Sequence, residues 1–241
     1  MQLNGDGDYA GWSTLDEHAW MAQSLPWEQA DVLELGCGDG ARARHFATAL
    51  PLRQITAAEV DEVAHQKNLS RPADKVRFAE FGAQAIDAAD ASFDLVLMFK
   101  SLHHVPLPQL DAALREIARV LRPDGVLYVS EPVFGGQLNE VLRLFHDEQH
   151  VRAQAFEALV RSVDAGTYAL REEKFFTNPV RFADFDQFAG AIIGATHTQH
   201  RLSPQLLDQV RDRFDALAER DAQGRYCFAA PMRVDVLNPA P

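Results

Sequence analysis

The sequence predicts a doubly wound α/β domain, a largely parallel sheet with helices on both faces, on the strength of three observations. Short apolar runs alternate with amphipathic stretches through roughly the first 130 residues. Those runs are apolar at almost every position, as strands buried on both faces require. A glycine-rich segment, "GCGDG" at 36–40, stands directly after the first run. In such folds ligands bind at the carboxyl ends of the strands, where the chain turns from strand to helix.

The elements follow in order. "DVLEL" (31–35), "QITAAEV" (54–60), "KVRFAEF" (75–81), "FDLVLMF" (93–99) and "GVLYVSEP" (125–132) read as strands. Between them, "GARARHFATAL" and "LPQLDAALREIARVL" carry apolar residues at helical spacing. The second aligns Leu110, Ala113, Leu114, Ile117, Val120 and Leu121 along one stripe. Pro123 and Gly125 then stop that helix and turn the chain into the next strand. Repeated strand–helix–strand units imply right-handed crossovers.

After Pro132 the rhythm changes. Residues 138–163 read as one or two helices, 173–182 as a strand, and 184–194 and 204–221 as further helices. The last run, 226–237, reads as a closing strand whose Pro231 suits an edge or a bulge. Eight of the fifteen phenylalanines lie between 134 and 188. The expected organisation is one domain over 1–241: a cover at 1–29, a core at 30–132, a helical, aromatic insertion after the fifth strand at 133–200, and a closing helix and strand at 201–241.

With 241 residues, 47% of them hydrophobic, the chain suffices for one sizeable core. No apolar run reaches the 18 or more residues of a membrane helix, and the start carries no secretory pattern. Cys37 and Cys227 show no metal-ligand spacing, so the expected setting is the reducing cytoplasm. Asp and Glu number 35 against 23 Lys and Arg, a net charge of -12. That field repels polyanions, so neither nucleic acid nor a membrane surface is expected as a partner.

Glycines at a strand-to-helix turn let backbone approach a ligand closely, and the helix that follows presents unpaired N–H groups. "GCGDGA" even satisfies the loose dinucleotide pattern. Two acids sharpen the reading. Glu34 lies at the end of the first strand, where a pyrophosphate would be repelled and a cationic head welcomed. Glu59 ends the second strand, where a ribose diol is gripped. A nucleoside with a positively charged amino-acid tail suits both, and S-adenosylmethionine has that shape.

The segments "VLELGCGDG", "ITAAEVDEVAHQKN", "FGAQAIDAADASFDLVLMFKSLHHV" and "LREIARVLRPDGVLYVSEP" stand in order between about 30 and 132. In this the chain resembles the class I S-adenosylmethionine-dependent methyltransferases, in the small-molecule branch typified by quinone-biosynthesis enzymes. The resemblance implies a Rossmann-like seven-stranded sheet with its last strand antiparallel. It also implies S-adenosylmethionine as cofactor and S-adenosylhomocysteine as product. Glu34, Gly36, Cys37 and Gly38 would face the methionine part, Glu59 the ribose and Val60 the adenine. Ala83 and Gln84 would border the adenine edge, and Phe99 and Lys100 would floor the sulfonium. The family often has Asp where this chain has Gly82, which leaves the adenine amine to backbone or water.

His103 and His104 offer bases near an acceptor, but a capping or packing role is favoured for at least one of them, and no catalytic residue is assigned. His146 and His150 share a face if helical, yet Asp147 stands where a zinc protease has Glu, so no metal site is expected. "THTQH" (196–200) is uninformative. Tyr9, Trp12, His104, Phe134 and Phe145 are the candidates to face a small, partly apolar acceptor. The rival readings are a nonenzymatic cofactor-binding regulator, a nicotinamide-dependent oxidoreductase, which Glu34 opposes, and an RNA methyltransferase, which the charge opposes.

Overall fold

Strands β1 (Asp31–Leu35), β2 (Gln54–Ala58), β3 (Val76–Ala79), β4 (Phe93–Phe99) and β5 (Leu121–Pro132) run parallel in the computed structural model, which describes residues 1–5, 7, 9–194 and 200–240. Two further long strands, β6 (Tyr168–Phe182) and β8 (Tyr226–Pro239), and the two-residue β7 (Glu219–Arg220) complete the sheet. The spatial order is β3-β2-β1-β4-β5-β8-β6, with β7 paired to β8. As expected, the last strand is antiparallel, here to both β5 and β6. The short β7 makes eight strands where seven were expected.

Side chains alternate across this sheet as the pleat demands. Leu33, Leu35, Val96, Met98, Leu127 and Val129 face one layer, built on α4 (Leu110–Val120) and α6 (Gln149–Asp164). Val32, Leu95, Leu97, Val126 and Tyr128 face the other, built on α1 (Glu17–Ser24) and α2 (Ala41–Ala49). The predicted stripe of α4 is buried at Leu110, Ala113, Leu114, Ile117 and Val120. Each of its larger side chains stabilises the layer by about 1.5–3 kcal/mol. Helix α3 (Glu62–Leu69) flanks the β2–β3 side. At the amino ends of the strands, buried Asp31 accepts from Gln54 Nε2 at 3.1 Å and from Arg122 Nη2 at 3.0 Å.

Beyond β5 the insertion has its own core. Helices α5 (Gly136–Leu142), α7 (Phe185–Phe188) and α8 (Pro204–Leu217) pack Leu138, Val141, Phe185, Phe188, Val210 and Phe214 against Phe182 and Phe228. Several sequence expectations change here. The 138–163 stretch is two helices, broken between Leu142 and Gln149, and His146 lies in that break rather than on a helix with His150. The segment at 184–194 is one α turn followed by a π turn, Ala189–Ile193. The last helix stops at Leu217 because Ala218 is extended and Glu219 pairs with Cys227 of β8. Pro123 and Gly125 do not end before a strand but lie inside β5, where the register slips between Phe93 and Leu95. The closing strand is not an edge. Pro231 is accommodated because β5 joins β8 only from Met232 onward. Residues 195–199 of the "THTQH" region lie outside the described residues.

Candidate functional site

The glycine loop is lashed to β2 before any ligand is considered. Gly36 N and Cys37 N both donate to Ala58 O, at 2.9 and 3.0 Å. Gly36 has φ +73°, and a Cβ there would lie 2.6 Å from Ser101 Cβ, so it serves close packing. Gly38, at φ +56°, has nothing within 4 Å of where a Cβ would stand. Its bare backbone borders open space at the start of α2. From behind, Asn68 Nδ2 donates to Gly38 O at 2.8 Å and Arg44 to Asp39 O at 2.7 Å. Sequence reasoning missed both supports, since nothing in a side chain's identity says which loop of another unit it will brace.

Glu34 faces the α2 layer with Val32 and is 1% exposed. Neither carboxylate oxygen has a hydrogen-bond partner among the described residues. The nearest cation, Arg42 Nη1, is 3.9 Å away, and its guanidinium stacks over the Phe99 ring at 4.0 Å. Burial pushes the Glu34 carboxyl up to about 8, with Arg42 opposing and Asp39 and Glu59 adding to the rise. An unpaired buried carboxylate costs several kcal/mol unless something compensates it. A cationic ligand head would compensate it, and the cofactor that the sequence resemblance implies carries one. The residues fit the group.

Glu59 does more than end its strand. Its Oε2 accepts from Gly38 N at 2.7 Å, and its Oε1 from Val60 N and Asp61 N at 2.8 and 2.9 Å. The carboxylate therefore sets the loop. Glu59→Ala should lower S-adenosylhomocysteine affinity at least tenfold, which calorimetry reads directly. It should also lose about 1–3 kcal/mol of stability from the orphaned N–H groups, so unchanged affinity would leave Glu59 with the loop alone.

Val60 is 65% exposed beside this edge, and Ala83 is buried. The Gln84 amide fills the space over Gly82, 2.6 Å from a Cβ built there. A side chain at 82 would have to push this flexible amide aside, so with glycine there the Gln84 amide stands where the sequence left only backbone or water. Phe99 is buried against Phe46 and Tyr128, at 6.1 and 5.5 Å between ring centres. Lys100 follows with a left-handed φ of 53°, its N donating to Ser130 O at 2.8 Å.

The segment after β4 is organised by Glu131, another acid inside an apolar strand and one the sequence reading passed over. Its Oε1 accepts from Ser101 N at 3.1 Å and Leu102 N at 2.9 Å, and its Oε2 meets His103 Nδ1. His103 Nε2 lies 3.4 Å from Glu148 Oε1. Burial alone would lower the His103 pKa, but the two carboxylates outweigh it and raise it to about 9. A histidine so held is protonated near neutrality and is no base, in keeping with the packing role favoured above. His104 is exposed, its ring centre 4.1 Å from that of His103.

The acceptor candidates divide. Phe134 borders a cleft with Glu131, Val133, Arg152 and Arg233. Tyr9 packs edge-on to Trp12 at 5.1 Å and covers Gly135, the residue after Phe134. Trp12 continues onto Phe175, also at 5.1 Å. Phe145 instead meets His200 edge-on at 5.2 Å and leans on the third core. Phe182, Phe185 and Phe188 are core of the insertion.

Residues 32–125 match the methyltransferase domain family. The chain is 34% identical over 116 residues to the 27-O-demethylrifamycin SV methyltransferase of Amycolatopsis mediterranei, covering 46% of this chain and 42% of that protein. It is 33% identical over 171 residues to a probable S-adenosylmethionine-dependent methyltransferase of Mycobacterium tuberculosis, covering 68% and 58%. This chain thus spans about half the length of these curated relatives. The crystal structure of the YcgJ protein from Bacillus subtilis superposes with a TM-score of 0.59 at 20% identity, covering 92% of this chain and 97% of that one.

Proposed function

We propose that this chain is a class I S-adenosylmethionine-dependent methyltransferase, a reading that the matched methyltransferase domain and the Mycobacterium relative support, and that it methylates a small, partly apolar molecule by in-line displacement. The observation that carries the reading is Glu34, buried at the strand end that leads into the glycine loop, with no hydrogen-bond partner among the described residues and Arg42 no nearer than 3.9 Å. When bound, the cofactor supplies a methyl group on a good leaving group, so the protein's task is placement more than proton transfer. Glu34 takes the ammonium, Glu59 the ribose and Gln84 the adenine edge, while Phe99 and Lys100 floor the sulfonium. Tyr9, Trp12 and Phe134 cover the acceptor side and exclude water. The Amycolatopsis relative is named for methylating 27-O-demethylrifamycin SV, which supports the small-molecule class. Both cysteines are free thiols, in keeping with a cytoplasmic setting, and among the described residues no helix is long and apolar enough to cross a membrane.

S-adenosylhomocysteine at 100 times its dissociation constant should stabilise the protein by about 2.7 kcal/mol in thermal unfolding. NADH binding at micromolar strength, with neither sulfur ligand detectable, would overturn the reading. Incubation with methyl-labelled cofactor and cell extract should then label a small molecule. Binding without consumption would make the chain a regulator, and label in RNA would remove the small-molecule class.

For the acceptor side, Phe134→Ala should weaken acceptor binding about tenfold with stability and cofactor affinity near the parent's. Phe145→Ala should also lower the melting temperature, since that ring leans on the third core. Equal loss of stability in both variants would move the acceptor elsewhere.

A further inference from the structure

Two imidazoles, those of His103 and His146, approach one oxygen of Glu148, and that of His104 lies close by, a grouping the sequence pattern did not anticipate. We propose that His103, His104 and Glu148 form a binding site for a divalent first-row transition metal ion of the zinc class. Donor atoms from these three residues all lie within 4.8 Å of one another. His103 Nε2 and Glu148 Oε1 are 3.4 Å apart, close to the separation of about 3.3 Å between neighbouring ligands of a tetrahedral ion. His146 Nε2 reaches the same oxygen at 2.8 Å and stands ready as a further donor.

The surroundings are those of a ligand set. Arg152 Nη2 holds the other Glu148 oxygen at 2.6 Å, which fixes the carboxylate and leaves Oε1 toward the histidines. Glu131 engages His103 at Nδ1, the far nitrogen, and so orients the ring with Nε2 inward. Carboxylate support of that kind raises the basicity of a metal-bound imidazole. Glu131 and Glu148 carry two negative charges against the Arg152 guanidinium and the proton on His103, and a metal ion would bind by displacing that proton from Nε2. A brace made of ion pairs alone would be complete with His103 between its two carboxylates. His104 and His146 add two more imidazoles around it. Imidazole with carboxylate suits zinc, cobalt or nickel better than magnesium or calcium.

His103 and His104 are buried and exposed respectively, so the site is open on one side, as sites that also bind a substrate are. An acceptor offering an oxygen atom would complete it. That consequence rests on the transferase reading, whereas the metal site itself does not.

The test is a titration of the purified, chelator-treated chain with cobalt(II). One equivalent should give visible absorption bands of a low-coordinate ion, and zinc(II) should remove them. His104→Ala, at an exposed position, should weaken cobalt binding at least tenfold, and Glu148→Gln should abolish the bands. His150→Ala, also exposed, should bind as the parent does. Retained S-adenosylhomocysteine binding shows that each variant is folded. Absence of bands in the parent, or His104→Ala binding cobalt as tightly as the parent, overturns the proposal. Cobalt uptake with no methyl transfer leaves the metal site standing and removes the transferase reading. Methyl transfer by a chain that takes up no cobalt does the reverse.

Discussion

Glu34→Gln should make the ligand-free protein markedly more stable while making it a poorer binder of S-adenosylmethionine. The folded chain holds this carboxyl at about 8, against an ordinary value of 4.5. Between those values the folded state keeps a proton that the unfolded state has lost, so stability falls as pH rises from about 4.5 to 8. At about 1.4 kcal/mol per pH unit, the cost is about 3 kcal/mol at pH 7 and about 5 kcal/mol above pH 8. Glutamine mimics the protonated form and escapes that cost. The variant's advantage in denaturant unfolding should therefore be small at pH 5, grow toward pH 8 and level off above it. Its cofactor affinity should drop at least tenfold, because a charge-assisted contact to the ammonium is worth about 1.5–3 kcal/mol. A variant less stable than its parent at pH 8 would mean that the carboxylate is compensated by a group not recognised here.

Phe214→Ala should have an effect of similar size with the opposite bearing on function. Phe214 is fully buried, with Phe188, Phe228, Phe185 and Tyr226 around it at ring distances of 5.0, 5.2, 5.5 and 4.7 Å. Emptying such a position costs about 3–5 kcal/mol. Its cluster shares no residue with the two cores that carry the glycine loop. Stability should fall by that amount while S-adenosylhomocysteine affinity holds, and hydrogen exchange should quicken first in α7 and α8. Equal loosening of β1 and β4 would show that the insertion and the cofactor half unfold as one.

The cofactor half was legible because its signals are local. "DVLEL" and "FDLVLMF" became strands with the bounds read from their apolar runs. Glu34 could be singled out as an acid inside such a run. Glu131 gave the same signal in "VSEP" and was passed over, because no glycine loop stood beside it to suggest a purpose. The position of β8 could not be read, since which strands it separates is a matter of long-range pairing, across 100 residues and more for β5 and fewer for β6. Asn68 and Arg44 were invisible as loop supports for the same reason. The break at His146 lay within a stretch helical in pattern, where the chain brings His146 onto Glu148.

The place of β8 between β5 and β6 has a consequence for the order in which the molecule can be made. Synthesis delivers β6 some forty residues before β8, the one long strand that pairs with it among the described residues. Until then its fifteen residues present open edges, and β5 lacks its outer neighbour as well. The ribosome can release the cofactor half into a nearly complete parallel sheet, yet the insertion must wait for the final segment. Unpaired edges of that length invite pairing with other chains. A nascent chain halted before residue 226 should thus bind hydrophobic-surface chaperones through its 168–182 segment, and release them when the last strand emerges and slides into the gap.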